Sequence, residues 1–82
     1  MKVKVLFFAS ARQLANGTKE YELNLPDSSS LSEFRAEILR HFPGLEPVAA
    51  DITLAVNQEY VEGDIHLTEG DEVAFIPPIS GG

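Results

Sequence analysis

One stretch constrains the fold more than any other. Residues 31–42 are the only part of the chain with a strong helical period. Leu31, Phe34, Ile38, Leu39 and Phe42 recur at i, i+3, i+7, i+8 and i+11, which draws one apolar stripe along a helix. Ser30 followed by Glu33 fits a capping box at its start. Arg40 and His41 place positive charge in the last turn, where the helix dipole favours it, and Pro43-Gly44 stops the helix. A single amphipathic helix cannot bury such a stripe alone, so the rest of the chain must supply a sheet for it to lie on.

The remaining segments read as that sheet. Residues 2–9 begin by alternating, with Val3, Val5 and Phe7 on one face and Lys2, Lys4, Leu6 and Phe8 on the other. Residues 20–25 alternate again, Tyr21, Leu23 and Leu25 sharing a side, until Pro26 ends the strand. Residues 52–56 put Ile52, Leu54 and Val56 on one face. Asn57-Gln58 predicts a turn into a short strand at Glu59 to Val61, and Glu62-Gly63-Asp64 and Glu69-Gly70-Asp71 predict two more turns. The last strand runs from Glu72 to Ile76, Val73 and Phe75 facing one way, Ala74 and Ile76 the other. Ser10 to Gly17 predicts one short helical turn, capped by Ser10 and closed by Gly17. Ser28-Ser29-Ser30 reads as a loop feeding the main helix, and Glu46 to Asp51 as a connecting loop. The order strand, strand, helix, strand, short strand, strand is that of an α+β β-grasp, or ubiquitin-like, fold: a mixed sheet with one main helix across one face. The body spans residues 1–76 and leaves 77–82 as an extended, flexible tail.

Composition narrows the function classes. The chain has 82 residues, enough for one small domain, and its 44% apolar content argues against disorder. It has no cysteine, so it offers neither a disulfide nor a thiol, and any sulfur it carries must sit on another group. The net charge of −7 repels phosphate backbones, which argues against nucleic acid and for a partner with a basic surface. Lys2, Lys4 and Ala9-Ser10-Ala11 imitate a signal peptide, but the apolar run Val5 to Ala9 is five residues long, where a secretory core needs roughly 7–15. No run is long enough to span a membrane. The expectation is a soluble cytoplasmic protein.

The C-terminal segment is the chemical candidate. It reads Ile76-Pro77-Pro78-Ile79-Ser80-Gly81-Gly82. Two prolines cannot donate ladder hydrogen bonds, so the strand stops there, and they favour an extended conformation. The residues from Pro77 onward can reach roughly 20 Å at about 3.3–3.6 Å each, enough to enter another protein's active site. Gly81 and Gly82 have no Cβ and fit a narrow channel. A free carboxylate at the end of such a thread can be converted by ATP into an acyl adenylate, from which a nucleophile displaces AMP. Chance ends roughly 0.5% of chains in two glycines, given a glycine frequency of about 7%, and chance does not place them after a β-grasp pattern and a Pro-Pro exit.

Beside the tail, Phe8 and Ile76 fall on the face of the sheet away from the helix, and Tyr60 joins them from the short strand. An exposed aromatic and aliphatic cluster next to a reactive end suggests a partner-docking surface. Arg12, just after the first strand, is a further candidate contact. His41 and His66 have no ligand spacing, so no metal site is expected. Glu69, Asp71 and Glu72 read as a solvated turn, and no nucleophile motif or phosphate loop is present.

These residues resemble the MoaD-like small subunits of molybdopterin synthase, a family of ubiquitin-like sulfur carriers. The similarity covers nearly the whole chain. It is clearest at Lys4 to Ala9 with Arg12 and Leu14, at Ala55-Val56-Asn57-Gln58, and at Leu67 to Gly82 with its Gly70-Asp71-Glu72-Val73-Ala74-Phe75, Pro77-Pro78 and Gly81-Gly82. Thiamine-pathway carriers and ubiquitin-related modifiers share the fold and the Gly-Gly end but usually lack the Pro-Pro step. The resemblance implies that a MoeB-like enzyme uses ATP to adenylate the Gly82 carboxylate, and that a sulfur donor converts the adenylate to a thiocarboxylate. The tail, Pro77, Pro78, Ile79, Ser80 and Gly81, then enters a large, MoaE-like subunit of a heterotetramer, where sulfur passes to a cyclic pyranopterin precursor. Two such transfers build the dithiolene of molybdopterin. The chain binds no permanent cofactor on this reading and is not catalytic alone. The family's docking positions fall on Phe8, Tyr60 and Ile76, and Tyr60 brings a hydroxyl where relatives often have an apolar residue. Delivery of sulfur to thiamine or tRNA, conjugation of Gly82 to lysines, and an inert interaction module are the competing readings.

Overall fold

The computed structural model describes residues 1–77. Its elements are β1 (Lys2–Phe7), α1 (Ala9–Leu14), β2 (Glu20–Asn24), α2 (Leu31–His41), a 3₁₀ segment (Pro43–Asp51), β3 (Thr53–Val56), β4 (Glu59–Tyr60) and β5 (Glu72–Ile76). The strands form one sheet in the order β2-β1-β5-β3-β4. β1 and β5, the first and last strands, lie parallel at its centre, with Val5 beside Val73 and Phe7 beside Phe75. The other pairings are antiparallel. This is the β-grasp architecture.

Strand alternation decides which side is buried. Val3, Val5, Phe7, Val73 and Phe75 point to the helix side, each at most 1% exposed. Against them α2 lays Leu31, Phe34 and Ile38. Phe34 meets Phe75 at 5.8 Å between ring centres, and Phe7 meets Phe42 edge-on at 5.1 Å, within the range where aromatic pairs attract. Ser30 and Glu33 form the full capping box: Ser30 Oγ accepts from the Glu33 N–H, and Glu33 accepts from the Ser30 N–H at 2.9 Å.

Two expectations change. Ser10 does not cap α1; Phe8 holds the N-cap position in an extended conformation with no side-chain cap. The Phe8 N–H still bonds to the Phe75 carbonyl, so strand runs into helix without a spare residue for a polar cap. Ala9 makes the corner, with φ at 49°. Next, residues 46–51 are no loop but the end of the 3₁₀ segment. Pro43 suits its first turn, Pro47 lacks the donor a longer α ladder needs, and buried Leu45 and Ala49 pin it to the core. Gly44 serves a close approach there, since a Cβ would lie 2.6 Å from the Leu14 carbonyl oxygen. Pro77, the first residue of the segment that sequence assigns to the tail, is buried, and the rest of that segment lies outside the described residues. Gly17 closes α1 as expected, at φ 79°, its N–H bonded to the Arg12 carbonyl. Among the described residues no helix is long and apolar enough to cross a membrane.

Candidate functional site

The sheet face turned away from α2 is not uniformly polar. At the β2 side Lys2 and Lys4 meet Glu22 and Glu20 at 3.8 and 3.5 Å, exposed pairs that contribute little. Toward β5 and β3 the same face becomes apolar. The strand register explains how. Leu6 pairs with Ala74, Ala74 with Ala55, and Ala55 with Tyr60, so one row crosses four strands. The next row holds Ile76, opposite Thr53, and Phe8, whose N–H bond to Phe75 carries the β1–β5 ladder one step further.

The row is large at both ends and small in the middle. Leu6, Phe8, Tyr60 and Ile76, with Gln58 and Glu72, rise around Ala55 and Ala74 and leave a shallow hollow of about 360 Å³. Phe8 is 43% exposed and Tyr60 71%, and no other large apolar side chains among the described residues are so open. Ala55 points to the outside yet is 5% exposed, because its larger neighbours shade it. Keeping two aromatic rings in water costs hydrophobic free energy, which burial against a partner recovers at roughly 25 cal/mol per Å² of apolar area.

Phe8, Tyr60 and Ile76, picked out by sequence, therefore come together around one hollow. Arg12 does not line it; its Nε lies 3.5 Å from the Phe7 carbonyl oxygen, at the C-terminal end of β1. Pro78, Ile79, Ser80, Gly81 and Gly82 lie outside the described residues. Sequence reading missed the alanine floor, Leu6, and the rim residues Gln58 and Glu72. Alanine carries no hydrophobic signal of its own, and only the register shows that two alanines meet beside a leucine.

The chain's charged groups do structural work near this site. Burial pushes the Asp71 carboxyl up, but bonds from the Thr68 N–H, the Asn57 amide and the Thr68 hydroxyl outweigh it, so Asp71 titrates below its ordinary range. Glu69 accepts the Lys2 N–H at 3.0 Å. His41 sits at α2's end between Tyr21 and Glu37, and His66 makes an isolated bridge to Ser30. Among the described residues no three His, Cys, Asp or Glu side chains gather as a metal site. The hollow is mostly apolar, with the Glu72 carboxylate, the Gln58 amide and the Tyr60 hydroxyl as its polar groups. It suits apolar side chains of another protein.

Comparison with known proteins agrees in sequence and in shape. The model of the ThiS family matches residues 5–82. A curated relative, the molybdopterin synthase sulfur carrier subunit of Chlamydomonas reinhardtii, is 42% identical over 84 residues, spanning 100% of both chains. Among solved structures, the complex of subunits 1 and 2 of molybdopterin-converting factor from Helicobacter pylori contains a chain that superposes with a TM-score of 0.73 at 27% identity, covering 100% of each. Small archaeal modifier protein 1 from Methanosarcina acetivorans superposes at 0.81 with 26% identity, over 99% of this chain and 96% of that one.

Proposed function

We propose, from the premise that this chain belongs to the ThiS family, that it is the sulfur-carrier subunit of a molybdopterin synthase. The observation that carries this reading is the full-length likeness, at 42% identity, to a subunit of that name. The geometry supports it. A carrier must be held by partners while its end reacts inside them. Here the apolar hollow and the last strand share Ile76, six residues before the terminal glycine.

In the proposed cycle an adenylating enzyme of the MoeB type seats the hollow, and the Gly82 carboxylate oxygen attacks the α-phosphorus of ATP, releasing pyrophosphate. Hydrosulfide, sulfur at the sulfide level released by a donor, then adds at the carbonyl carbon, expels AMP and loses its proton, leaving a thiocarboxylate. The loaded chain moves to the large subunit, with which it forms a heterotetramer, and gives its sulfur to the cyclic pyranopterin precursor. Phe8, Tyr60 and Ile76 dock both partners. Pro77 to Gly81 lead the end into each active site. The chain works in the cytoplasm, where ATP is available.

Intact mass after incubation with a MoeB-type enzyme, ATP and a sulfur source tests the chemistry. The expected result is a gain equal to one oxygen replaced by sulfur, mapped to Gly82. No gain, with that enzyme active on a known carrier, would sink the reading. The likeness to an archaeal modifier protein favours a second reading, attachment of Gly82 to lysines. High-mass adducts in cells that vanish on deletion of Gly82 would establish it. Loss of molybdoenzyme activity without thiamine or tRNA defects separates the first reading from other sulfur pathways.

A further inference from the structure

β3 and β4 are joined by Asn57 and Gln58 alone, and both lie in the left-handed region, φ 50° and 70°. Positive φ at both central residues defines the type I′ hairpin, whose twist matches the sheet. Asparagine tolerates this region; at the second position glycine is usual, and Gln58 has a Cβ that disfavours it. The turn therefore needs outside support, and Asn57 supplies it. Its N–H donates to the Glu72 carbonyl at 2.7 Å, as the β3–β5 ladder requires one step beyond the Val56–Val73 pair. Its main chain then turns away, and its side-chain Oδ1 accepts the Glu72 N–H at 3.0 Å in place of its own carbonyl. The side-chain Nδ2 of Asn57 donates to Asp71 Oδ1 at 3.0 Å. Asp71 is itself tied to Thr68, and its carbonyl accepts from the Lys4 N–H of β1 at 2.9 Å. One side chain thus links the hairpin to the two central strands.

That hairpin carries Tyr60, and β5 carries Ala74 and Ile76. We infer that Asn57 is the positioning residue of the hollow: by completing the β5 ladder with its side chain it fixes the Tyr60 wall at one height above the Ala74–Ile76 side. The inference rests on the docking role proposed for the hollow. Tyr60 meets the partner; Asn57 acts through it.

The test pairs binding with exchange. Affinity for a molybdopterin synthase large subunit is measured by calorimetry for the unaltered chain, Asn57→Ala, Tyr60→Ala and both together. Asn57→Ala is expected to weaken binding about fivefold, with little further loss when Tyr60 is already alanine, since the two changes remove one interaction. Losses that simply add would overturn the inference. Asn57→Asp keeps the acceptor for Glu72 but faces the Asp71 carboxylate, so it too binds more weakly. The exchanged pair Asn57→Asp with Asp71→Asn restores a donor opposite an acceptor and is expected to recover affinity; failure to recover counts against the brace. In the free chain, amide exchange at Val61, which bonds back to Leu54, is expected to speed up in Asn57→Ala while Val5 and Val73 exchange unchanged. Equal rates at Val61 would remove the brace whatever the binding data show. If the unaltered chain did not bind the large subunit while Val61 responded as expected, the brace would stand and the carrier reading, with its docking role, would fall.

Discussion

At Gly44 the chain has no room for a side chain, because the Leu14 carbonyl at the end of α1 occupies the place a Cβ would take, 2.6 Å away. That carbonyl cannot swing aside cheaply. Ala11 and Ala15, on either side of it, are fully buried. Gly44→Ala is therefore expected to cost about 1–3 kcal/mol, as overpacking does, and to lower the urea midpoint accordingly. Gly63→Ala makes the comparison: its Cβ meets nothing, and only the φ of 77° penalises it. An unchanged midpoint for Gly44→Ala would mean that α1 and the 3₁₀ segment do not press together. Phe8 presents the opposite case, a large apolar side chain 43% exposed. Phe8→Asp removes apolar area from the hollow and puts a charge there. Binding to a large subunit should fall by about thirtyfold or more, the loss typical of a central interface aromatic. The melting temperature should move little, because the ring is not part of the core. A folded Phe8→Asp chain that binds normally would end the docking assignment.

At the scale of elements, the start of α2 is held by two carboxylates from different places. Glu33 titrates below its ordinary value, first because it accepts the Ser30 N–H and then because it pairs with the Ser30 hydroxyl. Asp64, from the loop before β5, is lowered chiefly by the Ser32 hydroxyl, at 2.7 Å, and then by the Ser32 N–H. A group whose pKa is depressed by folding contributes stability that is full above its unfolded pKa and is lost as pH falls through the folded one. Stability should thus hold at neutral pH and decline through and below the ordinary carboxylate range. The double change Glu33→Gln with Asp64→Asn should flatten that decline, read from urea midpoints between neutral and acid pH; an equally steep decline would show that other carboxylates govern it. The capping box was legible in the sequence because its two residues are three apart and obey a local rule. The same holds for the Asn57-Gln58 turn and for the alternation that sorts Val3, Val5 and Phe7 from Leu6 and Phe8. Features set by distant neighbours were not legible. Ser10 looked like a cap because nothing local revealed that Phe8 stays in the β1 ladder. The 3₁₀ segment hid behind Pro47, which reads as a loop residue until Leu45 and Ala49 are seen to be buried. Asp64 sits 32 residues from the hydroxyl it bonds, and the alanine floor of the hollow exists only once β3, β5 and β1 are in register.

For the whole molecule the topology matters more than any one contact. Placing the first and last strands side by side sets Phe8 next to Ile76, and Gly82 follows Ile76 six residues later in sequence. On the proposed function, docking and chemistry would be joined along the chain but divided between different residues, so kinetics can separate them. A net charge of −7 assists encounter with a basic partner without choosing among partners. On the proposed cycle, Phe8→Asp weakens the complex with the adenylating enzyme before and during reaction alike. Such uniform binding, when lost, raises KM and leaves kcat nearly unchanged. Deletion of Gly82 should do the reverse. The hollow remains intact, so the shortened chain should still compete with the full one for the enzyme, at similar affinity, yet give no pyrophosphate at any concentration. Steady-state pyrophosphate release with each variant, and inhibition of the unaltered chain by the shortened one, distinguish the two effects. If the shortened chain failed to compete, the tail rather than the hollow would supply most of the binding. If Phe8→Asp lowered kcat instead of raising KM, the hollow would be shaping the reacting end as well as holding the body, and the division of labour between sheet and tail would have to be abandoned.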